Sequence, residues 1–100
     1  FFRIALAYSG RQEIADAAKK ALTKDGEITP ETISKNLYTD APDPDLLIRT
    51  AEQRISNFLL WGSAYMEMNF SKKLWPDFTL SDYKKALTDF DARQRRFGKY

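Results

Sequence analysis

Residues 43–56 read DPDLLIRTAEQRIS, and this stretch decides how the rest of the sequence is interpreted. A turn-rich DPD is followed by the apolar LLI, which predicts a short buried strand over residues 45–50. Arg49 then lies at the carboxyl end of that strand, and Arg54 and Ser56 follow within a short loop. Because ligands of open α/β sheets bind at the carboxyl ends of the strands, this loop is the candidate site.

The residues after the strand have the chemistry of an anion site. The guanidiniums of Arg49 and Arg54 can clamp a diphosphate through bidentate hydrogen bonds, and the Ser56 hydroxyl adds a donor. Residues 57–70 are apolar nearly all round, which predicts a buried helix or a subunit interface. A helix beginning there would also favour phosphate at its N-terminus. The alternative is that both arginines are solvated or ion-paired surface residues and that Ser56 only caps the helix.

The residues before this stretch predict the first half of a βαβ unit. Residues 1–8 (FFRIALAY) are rich in strand formers and predict a strand. A helix follows with Ser9 as its N-cap and ends at Asp25-Gly26. Another begins with Thr29 as N-cap and Pro30 at its first position. Two strands separated by helices predict an α/β fold with a parallel sheet and flanking helices.

A last helix is predicted after Trp75-Pro76, which interrupts the apolar pattern. Thr79 and Asp82 have the spacing of a capping box, and Gly98 is placed to act as the C-cap. The final turn is expected to hold three arginines, which suit the negative end of a helix dipole: Arg93, Arg95 and Arg96.

Composition excludes several functional classes. The formal net charge of +2 is too small to indicate nucleic-acid binding. The chain has no cysteine and no histidine, which excludes disulfides, thiolate catalysis and histidine-based acid–base or metal chemistry. No run of about 18 apolar residues predicts a membrane-spanning helix, and nothing resembles a signal peptide. We therefore expect a cytoplasmic protein.

The order of several motifs adds a family resemblance. PDPDLLIRT, then EQRISNFLLW, then AY, then Glu67 and LWPDF closely resemble the C-terminal signature of the cis-prenyltransferases, the family that includes undecaprenyl diphosphate synthase. AYSGRQEI resembles an earlier segment of the family, and RRFG resembles its terminal Arg-x-Gly motif. The resemblance implies a cis-prenyltransferase-like fold in which residues 1–100 are the C-terminal segment of a single domain.

By this resemblance, the chain carries the site for the diphosphate of isopentenyl diphosphate. The positions expected to bind substrate are Arg49, Arg54, Ser56, Arg96 and Gly98. The last two match the Arg-x-Gly motif, which in the family often reaches the site across a dimer interface. Glu67 matches a position associated with Mg²⁺, although a continuous helix would hold it about 16 Å from Ser56. The alternatives are a solvent-facing helix carboxylate for Glu67 and a dipole-favoured helix end for Arg96.

The implied reaction condenses isopentenyl diphosphate with an allylic prenyl diphosphate into a cis-polyprenyl diphosphate, with Mg²⁺ neutralising the leaving diphosphate. No catalytic residue is expected in this segment, because the family's aspartate motif belongs to the N-terminal half. We expect a homodimer that binds no nucleic acid and contacts the membrane surface through its lipid product. Two alternatives stay open: a non-catalytic partner subunit, against which the intact arginines argue, and an unrelated phosphate-binding domain.

Two departures from the family pattern concern loops. The family usually reads Arg-Thr-x-Gly-Glu-x-Arg, whereas residues 49–54 read RTAEQR and lack one residue, normally glycine. Residues 34–39 also form a shorter segment than family members usually have. Either these loops are shortened, or residues of mobile loops are missing from the sequence, and we expect the second. An intact protein mass of 11.6 kDa, which is the mass of these 100 residues, would contradict the expectation that loop residues are missing.

Overall fold

The computed structural model describes residues 1–99, which divide into two structural units. Unit 1 comprises residues 1–42 and 57–64, and unit 2 comprises residues 43–56 and 65–99. Each has its own small set of buried apolar side chains: Ala17 and Ala21 in unit 1, Met66 and Ala86 in unit 2. Within the described residues, no helix combines the length and the apolar character that crossing a membrane requires.

Helix α1 (Gly10–Lys20) begins where the sequence predicts. The Ser9 side chain accepts a hydrogen bond from the Gln12 backbone N–H at 3.2 Å, which satisfies one of the unpaired donors at the helix start. The reciprocal bond of a capping box does not form, because the Gln12 side-chain amide donates to the Asp16 carboxylate instead. The helix continues as a π-helical turn over Ala21–Asp25 and ends at Gly26, whose φ is 78°.

Helix α2 (Pro30–Lys35) also begins as predicted, with a complete capping box. The Thr29 hydroxyl accepts from the Thr32 N–H at 3.1 Å, and the Thr32 hydroxyl accepts from the Thr29 N–H at 2.8 Å. The buried Asn36 side chain then donates to Asp25 at 2.8 Å. This bond joins the end of α2 to the end of the preceding helix.

The predicted strand over residues 1–8 is wrong. These residues are irregular, and the side chains of Phe1, Phe2 and Leu6 are exposed. Ala7 has a φ of 50°, which interrupts any extended path. An apolar run supplies strand propensity but not the hydrogen-bonding partner that a strand needs.

The predicted buried helix over residues 57–70 is also wrong. Residues 56–65 form turns and bends, and Ser56, Asn57 and Leu59 have positive φ values that an α-helix does not contain. In unit 1 the Gly10 N–H donates to the Asn57 carbonyl at 2.8 Å, and a Cβ on Gly10 would lie 2.6 Å from that oxygen. The close approach to α1 therefore holds this turn in place and requires glycine.

Unit 2 contains a two-stranded parallel sheet, which confirms the predicted α/β class. Strand β1 (Leu46–Thr50) pairs with β2 (Glu67–Ser71), and Arg49 lies opposite Phe70. The strand at 46–50 was predicted, but its partner was expected at residues 1–8. Because the strands are parallel, both begin at one end of the sheet and finish at the other, roughly 13 Å away. We call these the amino end and the carboxyl end of the sheet.

Helix α3 (Leu80–Ala92) follows a 3₁₀ turn over Trp75–Asp77. The predicted capping box is confirmed, since the Thr79 hydroxyl accepts from the Asp82 N–H and Asp82 accepts from the Thr79 N–H. Lys73 also donates to the Asp82 carboxylate, and together these bonds lower the pKa of Asp82 to about 2. The start of α3 is thus tied to the segment that follows β2.

The end of α3 differs from the prediction. The helix finishes at Ala92, and its C-cap is Arg93, with φ −81° and ψ 145°, rather than Gly98. Gly98 has a φ of 80° in a separate turn, in which the Lys99 N–H donates to the Arg96 carbonyl at 2.9 Å. Residues 95–98 therefore lie beyond the helix, and the helix dipole does not account for their arginines.

Candidate functional site

At the carboxyl end of the sheet, two guanidiniums meet on one carboxylate. Nη2 of Arg49 donates to Oε2 of Glu52 at 2.9 Å. Nε and Nη2 of Arg54 donate to Oε2 and Oε1 of Glu52 at 2.7 and 2.8 Å. The arrangement shows that both arginines can reach the same small anion.

The backbone explains why these side chains converge. Arg49 is the fourth residue of β1, and Ala51, just after the strand, has a φ of 71°. The Ala51 N–H lies 2.9 Å from both the Ser71 and the Lys73 carbonyl oxygens. This anchored left-handed residue turns the chain sharply, so that Glu52 comes back toward Arg49.

The electrostatics of this group follow from the same contacts. The Arg54 guanidinium, hydrogen-bonded to Glu52 and supported by Arg49, holds the pKa of Glu52 below its usual range, and Glu52 raises the pKa of Arg54 in turn. The side chains are 31% exposed for Arg49 and 68% for Arg54. Exposed ion pairs are weak, so a ligand of higher charge can compete with Glu52 for the donors.

Ser56 lies two residues beyond Arg54 and is exposed. Within residues 1–99 its hydroxyl shares no hydrogen bond with the arginine pair. The helix predicted to start behind it is replaced by a turn, with a φ of 50° at Ser56 itself. The prediction that a helix N-terminus contributes to phosphate binding is therefore wrong, and anion binding here would depend on side chains.

Glu67 lies at the amino end of the sheet. It is the first residue of β2, and its Oε1 is 3.7 Å from Nη1 of Arg93, which also donates to the Met68 carbonyl at 2.9 Å. The calculation that assumed a continuous helix to Ser56 does not apply, because no helix connects them. The opposite ends of the sheet nevertheless separate Glu67 from Arg49.

Residues 95–98 also lie at the amino end. Arg95 donates to Asp45 at 2.6 Å and to the Tyr65 carbonyl at 2.9 Å. Gly98 faces the Tyr65 ring, which a Cβ at that position would meet at 3.3 Å. Arg96 itself is exposed. The structure thus brings Arg49 and Arg54 together but not with the predicted Arg-x-Gly residues.

Two residues of these groups were missed by the sequence analysis. Glu52 lies three residues after Arg49 and two before Arg54, and that spacing is the feature from which a shared ion pair could have been predicted. Arg95 was assigned only to a helix end. Its partner Asp45 is distant in sequence, so no local pattern identifies the contact.

The donor set can be compared with what Mg²⁺ requires. Mg²⁺ is usually held by one or two carboxylates together with phosphate oxygens and water. Within residues 1–99, no group of three or more acidic, histidine or cysteine side chains could hold a metal ion. Glu67, 28% exposed, fits the role of a single carboxylate ligand. The other ligands would come from substrate or from residues outside this group.

Comparison with known proteins places this chain in a family. Residues 1–98 match the family described as "Putative undecaprenyl diphosphate synthase". The (2Z,6E)-farnesyl diphosphate synthase of Mycolicibacterium smegmatis is 50% identical over 109 residues, covering 96% of this chain and 41% of that protein.

Two solved structures share the fold. A probable undecaprenyl diphosphate synthase from Campylobacter jejuni has a TM-score of 0.88 and 40% identity, covering 95% of this chain and 46% of its own. Lavandulyl diphosphate synthase from Lavandula x intermedia, in complex with dimethylallyl diphosphate, has a TM-score of 0.83 and 42% identity, covering 95% and 45%.

The chain spans less than half the length of each of these relatives. The alignment with the M. smegmatis protein runs over 109 residues but includes only 96% of this chain, so that relative has residues with no counterpart here. A family match across residues 1–98, and relatives that share both sequence and fold, show that this chain belongs to the undecaprenyl diphosphate synthase family of cis-prenyltransferases.

Proposed function

We propose that the protein containing this chain condenses isopentenyl diphosphate with an allylic prenyl diphosphate to form a cis-polyprenyl diphosphate. The observation that carries the proposal is the convergence of Arg49 and Arg54 on the Glu52 carboxylate. A diphosphate offers the same paired oxygens with more charge. The relatives support the reaction class, since one is a (2Z,6E)-farnesyl diphosphate synthase and another was solved with the allylic dimethylallyl diphosphate.

In this proposal, the carboxyl end of the sheet holds the diphosphate of isopentenyl diphosphate. Arg49 and Arg54 retain unused N–H donors beyond those that bind Glu52, and the Ser56 hydroxyl adds another. Fixing the diphosphate there holds the attached alkene near the allylic carbon, which is a proximity effect. The residues that grip the allylic diphosphate lie outside this segment, which is proposed as the C-terminal part of one domain.

Glu67 is proposed as one protein ligand of Mg²⁺, and the ion, when bound, stabilises negative charge on the departing diphosphate. Arg96 and Gly98 are proposed to complete the substrate site. One chain holds them at the amino end of the sheet, away from Arg49. We therefore propose a homodimer in which a second copy brings its residues 96–98 to the site.

The low net charge of +2 supports a protein that binds no nucleic acid. A cytoplasmic location is proposed, with membrane contact made through the lipid product. These statements are independent of the arginine site. Fractionation of cells would test the location and the membrane contact, and a gel-shift assay would test nucleic-acid binding.

The reaction is tested with the full-length protein, radiolabelled isopentenyl diphosphate and dimethylallyl diphosphate as primer. We expect Mg²⁺-dependent incorporation of label, abolished by a chelator, and a Z double bond in the product by NMR. Binding of isopentenyl diphosphate without incorporation at saturating Mg²⁺ would indicate a non-catalytic partner subunit. A full-length protein that neither binds nor incorporates isopentenyl diphosphate would contradict the proposal.

A further inference from the structure

Arg95 is the least exposed of the ion-paired arginines in the described residues, at 19% of its side chain. Its Nη1 donates to Oδ1 of Asp45 at 2.6 Å, and its Nη2 donates to the Tyr65 carbonyl at 2.9 Å. The guanidinium also lies 4.4 Å from the centre of the Phe97 ring and 5.7 Å from that of Phe90. Charge, hydrogen bonds and aromatic stacking therefore all fix one side chain.

The partners of Arg95 belong to the frame of the sheet. Asp45 immediately precedes β1, and its carbonyl accepts the Glu67 N–H at 2.9 Å, at the start of β2. Tyr65 lies two residues before β2. The Arg95 side chain thus connects the segment beyond α3 to the beginnings of both strands.

The segment that Arg95 holds is under backbone strain. Phe97 has a φ of 49° and is followed by Gly98 at 80°. A left-handed conformation is sterically costly for a non-glycine residue, so it persists only where contacts enforce it. Here the Phe97 ring packs against Tyr65, with ring centres 6.0 Å apart, and against Arg95.

The contacts of Arg95 are not needed to end α3. That helix already finishes at Ala92, and the Arg93 guanidinium donates to the Met68 carbonyl without involving Arg95. The bonds of Arg95 therefore act on the residues that follow it. Arg96 is exposed, and residues on both sides of it are fixed.

We propose that Arg95 is a positioning residue for the prenyl-transfer reaction. Its bonds to Asp45 and to the Tyr65 carbonyl, here called the Arg95 latch, hold the strained turn of residues 96–98, so that the exposed Arg96 side chain is presented to the diphosphate bound by the second copy of the proposed homodimer. This proposal rests on the proposed function, because it concerns how Arg96 is presented to substrate.

A double-mutant cycle in the full-length protein tests the latch. The variants are Arg95→Gln, Arg96→Ala and the pair together, with Lys85→Gln on the exposed surface of α3 as the matched control. We expect Arg95→Gln to raise the KM for isopentenyl diphosphate about tenfold, since small misplacements of a positioning group are costly. In the Arg96→Ala background the same change should have little further effect. Arg95→Lys, which keeps the charge opposite Asp45, should recover part of the loss and guards against misfolding of the glutamine variant.

Each outcome separates the latch from the reaction. If the fold-increases in KM of the two single variants multiply in the double variant, Arg95 does not act through Arg96 and the proposal is overturned. An active enzyme unaffected by Arg96→Ala would overturn it too, while leaving the proposed function in place. If the wild-type protein lacks turnover, the proposed function fails, and hydrogen exchange of residues 96–99 decides the latch. Faster exchange in Arg95→Gln than in Lys85→Gln would support it, and equal exchange would overturn it.

Discussion

The two ends of the β1–β2 sheet hold their arginines in different ways. At the carboxyl end, Arg49 and Arg54 share the partly exposed carboxylate of Glu52, and nothing else occupies their donors among the described residues. At the amino end, Arg95 bonds to a carboxylate and a main-chain oxygen and lies against an aromatic ring. An arginine whose only partner is a side-chain carboxylate can therefore exchange partners, whereas one that also bonds to the backbone and packs on an aromatic ring is committed to the fold.

The largest expected effect is at the carboxyl end. Arg49→Ala in the full-length protein should weaken isopentenyl diphosphate binding by roughly 1.5–3 kcal/mol, the contribution of a charge-assisted hydrogen bond. Isothermal titration would measure it, with unfolding by urea as a check on the fold. Lys85→Gln on α3 is the control. An unchanged dissociation constant would remove Arg49 from the site and would break the comparison.

A smaller effect is expected for Glu67 at the amino end. Glu67→Gln keeps the shape of the side chain but removes its charge, so the Mg²⁺ concentration for half-maximal activity should rise about tenfold, a shift typical of altered metal sites. The control is Glu31→Gln, an exposed residue of α2. If the two variants show the same Mg²⁺ dependence as wild type, Glu67 belongs to the Arg93 ion pair and not to a metal.

The smallest effect concerns the turn that positions the arginine pair. Ala51→Gly relieves a left-handed conformation worth roughly 1–2 kcal/mol, and the added freedom of the unfolded chain offsets roughly 0.5–1 kcal/mol of it. The free energy of unfolding of the full-length protein should therefore rise by about 0.5–1 kcal/mol. Ala15→Gly, in α1, should instead lower it by about 1 kcal/mol. Equal losses in both variants would show that Ala51 is not strained.

The helix starts could be predicted because their causes are local. Ser9, Thr29 and Thr79 each cap a helix with a side chain that bonds to a backbone N–H three residues away. That geometry depends on almost nothing outside one turn of chain. The left-handed ending at Gly26 has the same character, since glycine adopts that conformation without steric cost.

The strands were harder because each depends on a distant partner. The strand at residues 46–50 was found from its apolar run, but the apolar run at residues 1–8 forms none, and β2 was hidden inside a segment interpreted as helix. In EMNFS the period of two is too short to separate a strand from a helix segment. The turn at residues 56–65 depends on the contact between Gly10 and Asn57, which is remote in sequence.

The candidate site was predicted unevenly for the same reason. Arg49 and Arg54 were expected together, and they share Glu52. The separation of Glu67, Arg96 and Gly98 from them could not be read from the sequence, because it follows from the parallel pairing of β1 with β2. Arg95 was overlooked since its partner, Asp45, lies half the chain away.

The order in which the chain contributes segments to the two units determines what happens when the chain is cut. Residues 57–64 belong to one unit while the residues on either side belong to the other, so the chain crosses between them three times. Cleaving any one peptide bond therefore leaves at least one unit assembled from both pieces. Neither unit therefore corresponds to a single contiguous gene fragment.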